Sequence, residues 1–365
     1  MAKVPSVSVY VPCHNYGRFL RQCVESLVNQ RGVDVRVLII DDASTDDSAA
    51  VAKQLADEYS CVEIRVHDTN VGHIATYNEG IEWADGDYVV LLSADDLLVP
   101  GALQRATSVL ESHPEVGLVY GRCTPFRADP PLDLCAPSDS TVHVLPGREW
   151  FELVCRDGEN FIAAPEAVVR TSLQHEIGGY ATDLPHSGDL EMWLRCAVHA
   201  DVAQVRGFHA LKRAHGESMQ EARFHEPLDA LRQRQLAFDR ALQHYERRYD
   251  DVADLRALVY QALARDALWS IVALVRRRKA TPARCSALLR YATGLHAAVV
   301  EEGGRSSTKA VPAVWLGTAF AVGTRRWLHG YRVGRRKARL ERERLSRGPA
   351  ATAPTAGHAS AVVSD

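Results

Sequence analysis

No two cysteines in this sequence form a C-x-x-C pair, although eight occur in 365 residues. Scattered cysteines of this kind argue against a zinc frame or a disulfide scaffold and read as reduced thiols of a cytoplasmic protein. Charge of neither sign is in excess. The 43 Lys+Arg and 46 Asp+Glu leave a formal net charge of −3, which gives no case for nucleic-acid binding. No apolar run reaches the ~18 residues that a bilayer span requires. The amino terminus, MAKVPSVSVYVPCHN, passes from one lysine straight into strand-like sequence with no signal-peptide core. The loop PCHNYG lacks the G-x-G-x-x-G of a dinucleotide fold, and no G-x-x-x-x-G-K-[ST] is present, which removes the P-loop reading. There is no internal repeat. What remains is a chain with 46% hydrophobic residues, enough for a globular core.

Up to about residue 120 that apolar content alternates between two periods. VSVYVP (7–12), DVRVLIIDD (34–42), VEIRVHD (62–68) and DYVVLLS (87–93) are strand-like. Between them, residues 18–30 place Phe19, Cys23, Leu27 and Leu20, Val24, Val28 at helical spacing, and 46–59 and 72–84 are also helical. Ser44 or Asp46 is a candidate cap for the second helix. Strand–helix–strand repetition with apolar strands predicts an α/β fold, a mostly parallel sheet flanked by helices. After residue 121 come a Pro- and Asp-rich loop, a helix around 148–157, a strand and short helix within 166–180, a helix over 189–200 and further strands over 201–215. From about 226 the chain is helical almost throughout, and 348–365 is small and polar, a predicted disordered tail.

In an open parallel sheet, ligands bind beyond the carboxyl ends of the strands. Three polar clusters fall on such ends: PCHN after the first strand, DDASTD after the second and SADD after the fourth. Asp95 and Asp96 would repel each other if left unpaired. Mg²⁺ or Mn²⁺ removes that repulsion, because both favour carboxylate oxygens with phosphates completing the shell. The alternative is a helix cap at Asp95 or Asp96. Asp41 and Asp42 could be ordinary strand-end acids. They could also be the pocket of a receiver-type domain, but no lysine sits at the end of a later strand to complete it.

VSVYVPCHNYGRFLRQCVESLVNQ, VLIIDDASTDDS, NVGHIATYNEGIEWADGDYVVLLSADDLLVPGAL and GDLEMWLR, in that order, resemble the family 2 glycosyltransferases over roughly residues 5–220. The resemblance implies a GT-A fold and a nucleotide-diphosphate sugar donor, such as a UDP- or TDP-sugar. It also implies an acceptor hydroxyl, a divalent cation and inversion at the anomeric carbon. It assigns Pro12, Cys13, His14 and Asn15 to the nucleotide base, and Asp42 to a hydrogen bond from the pyrimidine ring. Asp68 and Asn70 would lie near the nucleotide or sugar. Ser93 stands where the family's D-x-D motif has its first Asp, leaving a hydroxyl for the ribose, and Asp95 and Asp96 share the metal and ribose contacts. Asp189 matches the catalytic base, His215 could complete the metal shell, and Glu191 and Trp193 could touch the acceptor.

These roles divide the chain into a catalytic domain over 1–225 (nucleotide-sugar half about 1–120, acceptor half about 121–225), a helical region over 226–347 and the tail. A non-catalytic sugar-nucleotide-binding module would be expected to lose the base or the metal acids, and a sugar nucleotidyltransferase to carry a Gly-rich basic loop after the first strand. Neither description fits these residues. The C-terminal helices could form a cap, a homodimer contact or, through VPAVWLGTAFAVGTRRWLHGYRVGRRK, a peripheral membrane contact. The acceptor could be a small molecule or natural product, a lipid-linked sugar or a polysaccharide.

Overall fold

The computed structural model of the chain describes residues 3–127, 141–215 and 226–301. The Arg-rich stretch near 325–345, the apolar–basic segment before it and the tail lie outside the described residues. β1 (Ser6–Cys13), α1 (Gly17–Val28), β2 (Asp34–Asp41), α2 (Ser48–Glu58), β3 (Val62–Val66), α3 (His73–Trp83) and β4 (Tyr88–Leu91) follow the predicted alternation. Along β1, Val7, Val9, Val11 and Cys13 face the core under α1 and α2, while Tyr10 faces the opposite core. The same period of two splits β2 into Val35, Val37 and Ile39 on one side and Leu38 and Ile40 on the other.

β5 (Leu97–Leu98), α4 (Ala102–Ser112), β6 (Val116–Phe126), β7 (Val142–Leu145) and α5 (Gly147–Asp157) come next. A 3₁₀ turn (Ala164–Glu166) leads into β8 (Ala167–Arg170), α6 (Thr171–Ile177), α7 (Gly188–His199) and β9 (Asp201–Arg213). One mixed sheet runs β3-β2-β1-β4-β8-β6-β9-β5, with β7 also paired to β9. β1 to β4 are parallel, and β8 enters antiparallel between β4 and β6. Strand order reverses at β1, which has β2 on one side and β4 on the other. That is the switch point where a crevice opens at the carboxyl ends.

α4 and β6 were not legible in the sequence, and 201–213 is one strand of 13 residues rather than several. β6 holds Gly117, Gly121 and Pro125, which read as breakers. In the sheet the glycines are needed for close approach: a Cβ on Gly121 would lie 2.5 Å from the His209 ring of β9. The β6–β9 ladder also shifts register near Gly117 and Gly121.

α8 (Pro227–Tyr245), α9 (Val252–Arg276) and α10 (Pro282–Glu301) complete the described chain. By length and composition α9 could cross a membrane, with a stretch of mean hydropathy 1.4, contrary to the expectation that no such stretch exists. Here its Leu255, Val259, Leu263 and Ala267 share one apolar cluster with Trp150, Phe151 and Val154 of α5 and Trp193 of α7. Length and apolarity alone do not separate a spanning helix from a core helix. Two basic residues answer helix ends in this layer. Arg195 donates to the carbonyls of Ile177 (2.5 Å) and Gly179 (2.8 Å) beyond α6, and Arg248 donates to Val198 of α7 (3.2 Å).

The C-terminal helices also hold the exit from α5. Gly158 ends that helix at φ +78°, Arg234 donates to its carbonyl (2.9 Å) and Arg265 to that of Asp157 (2.8 Å). A Cβ on Gly158 would come within 2.6 Å of the Ala262 side chain. Gly158→Ala therefore combines left-handed strain with overpacking and should cost about 2–4 kcal/mol, read as a lowered urea midpoint.

Candidate functional site

A cleft of about 1100 Å³ opens along the carboxyl ends of β1, β2 and β4 and continues under the segment 160–166 and the start of α7. Its first wall is the loop after β1. Asn15 adopts φ +61°, and its side-chain oxygen accepts from the backbone of Thr45 (2.8 Å) while its own N–H donates to Ser44 Oγ (2.9 Å). Asp41 is turned away from the cleft and accepts from the Ser44 backbone (3.1 Å). Asp46 accepts from Gly17 (3.2 Å) and Ser48 (2.9 Å), so one carboxylate serves the starts of both α1 and α2. These bonds tie the β1 and β2 loops into one unit. Pro12, Cys13, His14 and Asn15 all border the cleft. The buried Cys13 thiol is pushed up to about 12, chiefly by burial, and is inert.

Asp42 reaches the same space. Its Oδ1 accepts from the Val71 backbone (2.8 Å) and from His67 Nδ1 (2.9 Å), and its Oδ2 accepts from Gly72 (2.9 Å). Burial opposes its charge, but these bonds outweigh it and hold its pKa below the ordinary value. Asn70 and His14 both donate to the Asp42 carbonyl, at 3.2 and 2.8 Å. Asp68 is the exception among the expected residues on this wall. It is exposed in the β3–α3 turn and does not line the cleft. Its neighbour His67 turns toward Asp42 instead, 2.9 Å from Oδ1, without lining the cleft itself.

At the end of β4, Ser93, Asp95 and Asp96 line the second wall. Asp95 Oδ2 lies 2.9 Å from His215 Nε2; His215 itself does not line the cleft, and its buried Nδ1 has no hydrogen-bond partner among the described residues. Asp96 is only 2% exposed, and its Oδ1 accepts the backbone N–H of Arg213 (2.8 Å). Burial and then the adjacent Asp95 raise its pKa. Among the described residues no three His, Cys, Asp or Glu side chains converge as a metal cage. The expected trio thus resolves into Asp95 facing His215, with Asp96 anchoring β9. Arg213 supports them: its Nε donates to the Asp95 carbonyl (3.1 Å), and its guanidinium stacks against Phe19 and Phe126. Nothing in the sequence pattern singled it out.

The third wall carries Asp189 in the first turn of α7, half-buried and bordering the cleft. Burial raises its pKa to about 6, and Lys212 pulls it back only in part. Glu166 is 5% exposed and raised to about 8, again by burial first. It is a cleft residue that sequence reasoning missed. Glu191 and Trp193 do not reach the cleft. Glu191, two residues from Asp189, points to another face of the helix and forms a buried ion pair with Arg195 (2.8 Å). Trp193 is 2% exposed in the core. The expected acceptor contacts at these two residues are therefore corrected to packing.

Residues 8–134 match the family model described as "Glycosyl transferase family 2". The uncharacterized protein MT1568 of Mycobacterium tuberculosis is 30% identical over 55% of this chain and 65% of its own length. The uncharacterized glycosyltransferase YibD of Escherichia coli is 33% identical over 42% and 45%. A hyaluronan synthase of Pasteurella multocida is 35% identical over 32% of this chain and 12% of its own length. The chain thus spans less than two thirds of each. Among solved structures, S. aureus TarS 1-349 in complex with UDP-GlcNAc superposes with a TM-score of 0.58 at 16% identity, covering 80% of this chain and 81% of that one. The mannosyltransferase PcManGT from Pyrobaculum calidifontis, in complex with GDP-Man and Mn²⁺, gives 0.50 at 16%, covering 89% and 84%. The fold is that of the GT-A glycosyltransferases.

The raised pKa of Asp189 has a consequence for stability. The folded state retains its proton up to about pH 6, whereas an unfolded carboxyl releases it near ~3.9, so stability falls as pH rises through that window. Asp189→Asn should stabilise the fold by on the order of 1–2 kcal/mol above pH ~6, with the gain shrinking toward pH ~4. Urea unfolding at several pH values measures it.

Proposed function

We propose that this chain, which carries a glycosyl transferase family 2 domain over residues 8–134, moves a sugar from a uridine or thymidine diphosphate donor to an acceptor hydroxyl with inversion at the anomeric carbon. The observation that carries this reading is one cleft, at the switch point of the sheet, lined by both Asp189 and Asp95, the latter paired with His215.

In this reading the β1 loop and Asp42 receive the base, and the Ser93 hydroxyl receives the ribose. A carboxylate that only accepts hydrogen bonds suits a base edge bearing a ring N–H. Asp95 offers a carboxylate oxygen at the cleft, and the His215 imidazole paired with it stands beside as a nitrogen donor. That donor set suits a divalent ion whose remaining positions are filled by diphosphate and water. Mn²⁺ or Mg²⁺ held there would neutralise charge on the departing diphosphate.

Asp189 takes the proton of the acceptor hydroxyl as its oxygen bonds to the anomeric carbon. The bond from that carbon to the diphosphate oxygen breaks, and the electron pair leaves with the nucleoside diphosphate. A base with a pKa near 6 is ionised at neutral pH yet basic enough to accept the proton. Positioning of donor and acceptor contributes much of the rate. In this reading residues 160–166 form the acceptor side, following the α5 exit that Arg234 and Arg265 hold at Gly158 and Asp157.

A coupled assay for released nucleoside diphosphate, run after a thermal-shift screen of nucleotide sugars with Mn²⁺, tests the reading. Turnover should fall on the acid side with an apparent pKa near ~6, as Asp189 takes up its proton. Asp189→Asn should cut turnover by ~10² or more and leave donor affinity within about twofold. A variant with normal turnover would remove Asp189 as the base. In a second arm, chelation should abolish turnover and Mn²⁺ restore it. Asp95→Asn and His215→Ala should raise the Mn²⁺ concentration required by at least ~10-fold. Turnover indifferent to chelation would reject the ion.

A further inference from the structure

His67 is a half-buried imidazole with a carboxylate on each ring nitrogen. Nδ1 lies 2.9 Å from Asp42 Oδ1 and Nε2 lies 2.7 Å from Glu79 Oε2. An ionised carboxylate can only accept, so satisfying both partners requires a proton on each nitrogen. A neutral ring would turn a lone pair toward one of the two acids. Glu79 is held in turn by Arg65 at 3.0 Å. The order from the surface inward is Arg65 on β3, Glu79 on α3, His67 after β3 and Asp42 after β2, alternating in sign. Charged partners of opposite sign on both sides favour the imidazolium over the neutral ring, against the cost of burial.

This row ends on Asp42, a strand-end acid that lines the cleft and is gripped from behind. Val71 and Gly72 fix Asp42 from the backbone of the β3–α3 turn, and His67 belongs to that same turn. The residue after Asp42, Ala43, sits at φ +54°, a left-handed conformation that a non-glycine side chain adopts at a cost. Without a hold on the carboxylate, the β2 loop has a cheaper backbone to relax into.

We propose that His67 is a positioning residue for donor binding: by bridging Asp42 to Glu79 it fixes the Asp42 carboxylate in the orientation that receives the base of the nucleotide. The inference rests on the nucleotide-sugar reading above. His67 touches no reacting atom, so it acts on donor affinity and not on the chemical step.

Calorimetric titration with UDP-glucose and Mn²⁺ tests it, since the diphosphate of a nucleotide sugar has no ionisation in the neutral range. His67→Gln should weaken binding about 10-fold at pH 6.5, raising the donor KM while kcat at saturation stays within about twofold. Glu79→Gln, remote from the ligand, should weaken binding about threefold and serves as the measure if His67→Gln does not fold. Wild-type affinity should decline as pH rises from about 6 to 8.5, as the imidazolium loses its proton. That decline should be absent in His67→Gln. Equal affinity and equal pH slope in wild type and His67→Gln would overturn the proposal, as would unchanged affinity in Glu79→Gln. If wild type binds neither UDP-glucose nor the corresponding TDP- or GDP-sugars, the donor reading itself is lost. Binding by wild type with no effect of either variant rejects only the clamp.

Discussion

The governing constraint in this protein is the crowding of carboxylates at the carboxyl rim of a parallel sheet. Charges of one sign in a partly buried site repel each other and resist ionisation, so each needs a partner or must give up its charge. The structure meets this one acid at a time. Asp41 is absorbed by Ser44, and Asp46 by the starts of α1 and α2. Asp42 is held by two backbone N–H groups and an imidazole, Asp96 by the Arg213 backbone, and Asp95 by His215. Among the described residues Asp189 has only the attraction of Lys212 to offset its burial, and its pKa rises to about 6. The acid with least support is the one whose chemistry is best suited to collecting a proton.

Much of this arrangement was legible in the sequence because it depends on chain ends and on a period of two. β1, β2, β3 and β4 announce themselves as apolar runs that stop on polar clusters, and parallel strands bring those stops to one rim. Pro12 to Asn15, Asp42 and Ser93 to Asp96 could therefore be placed near one another from the sequence, whereas Asn70 and Asp189 were assigned by the family resemblance alone. What could not be read depends on the direction of one side chain. Asp68 and His67 are neighbours in a turn, and only the fold decides which looks inward. Asp189 and Glu191 are two apart on a helix, so one faces the cleft while the other pairs with Arg195 in the core. Arg213 and Glu166 come from β9 and the turn before β8, in the half where glycines and register shifts blur the alternation.

The second half of the sheet explains this loss of legibility. β6 and β9 lie close enough that Gly121 has a histidine ring where a side chain would go. Residues that look like strand breakers in one dimension are what close packing requires in three. The same pairing runs on to Phe126 and Arg213, so β9 ends where Arg213 and the following His215 meet the acids beyond β4.

The apolar cluster that joins α5 and α7 to α8, α9 and α10 has no seam near residue 226. The first 225 residues are therefore not a detachable cartridge, since removing α8, α9 and α10 would strip the cover from Trp150 and Phe151. Because Ala262 presses on Gly158 and Arg234 grips its carbonyl, repacking among the late helices would be transmitted to the segment 160–166. A lineage carrying this scaffold could thus reshape the 160–166 wall of the cleft through drift in its last third, while the acids at the strand ends stay untouched.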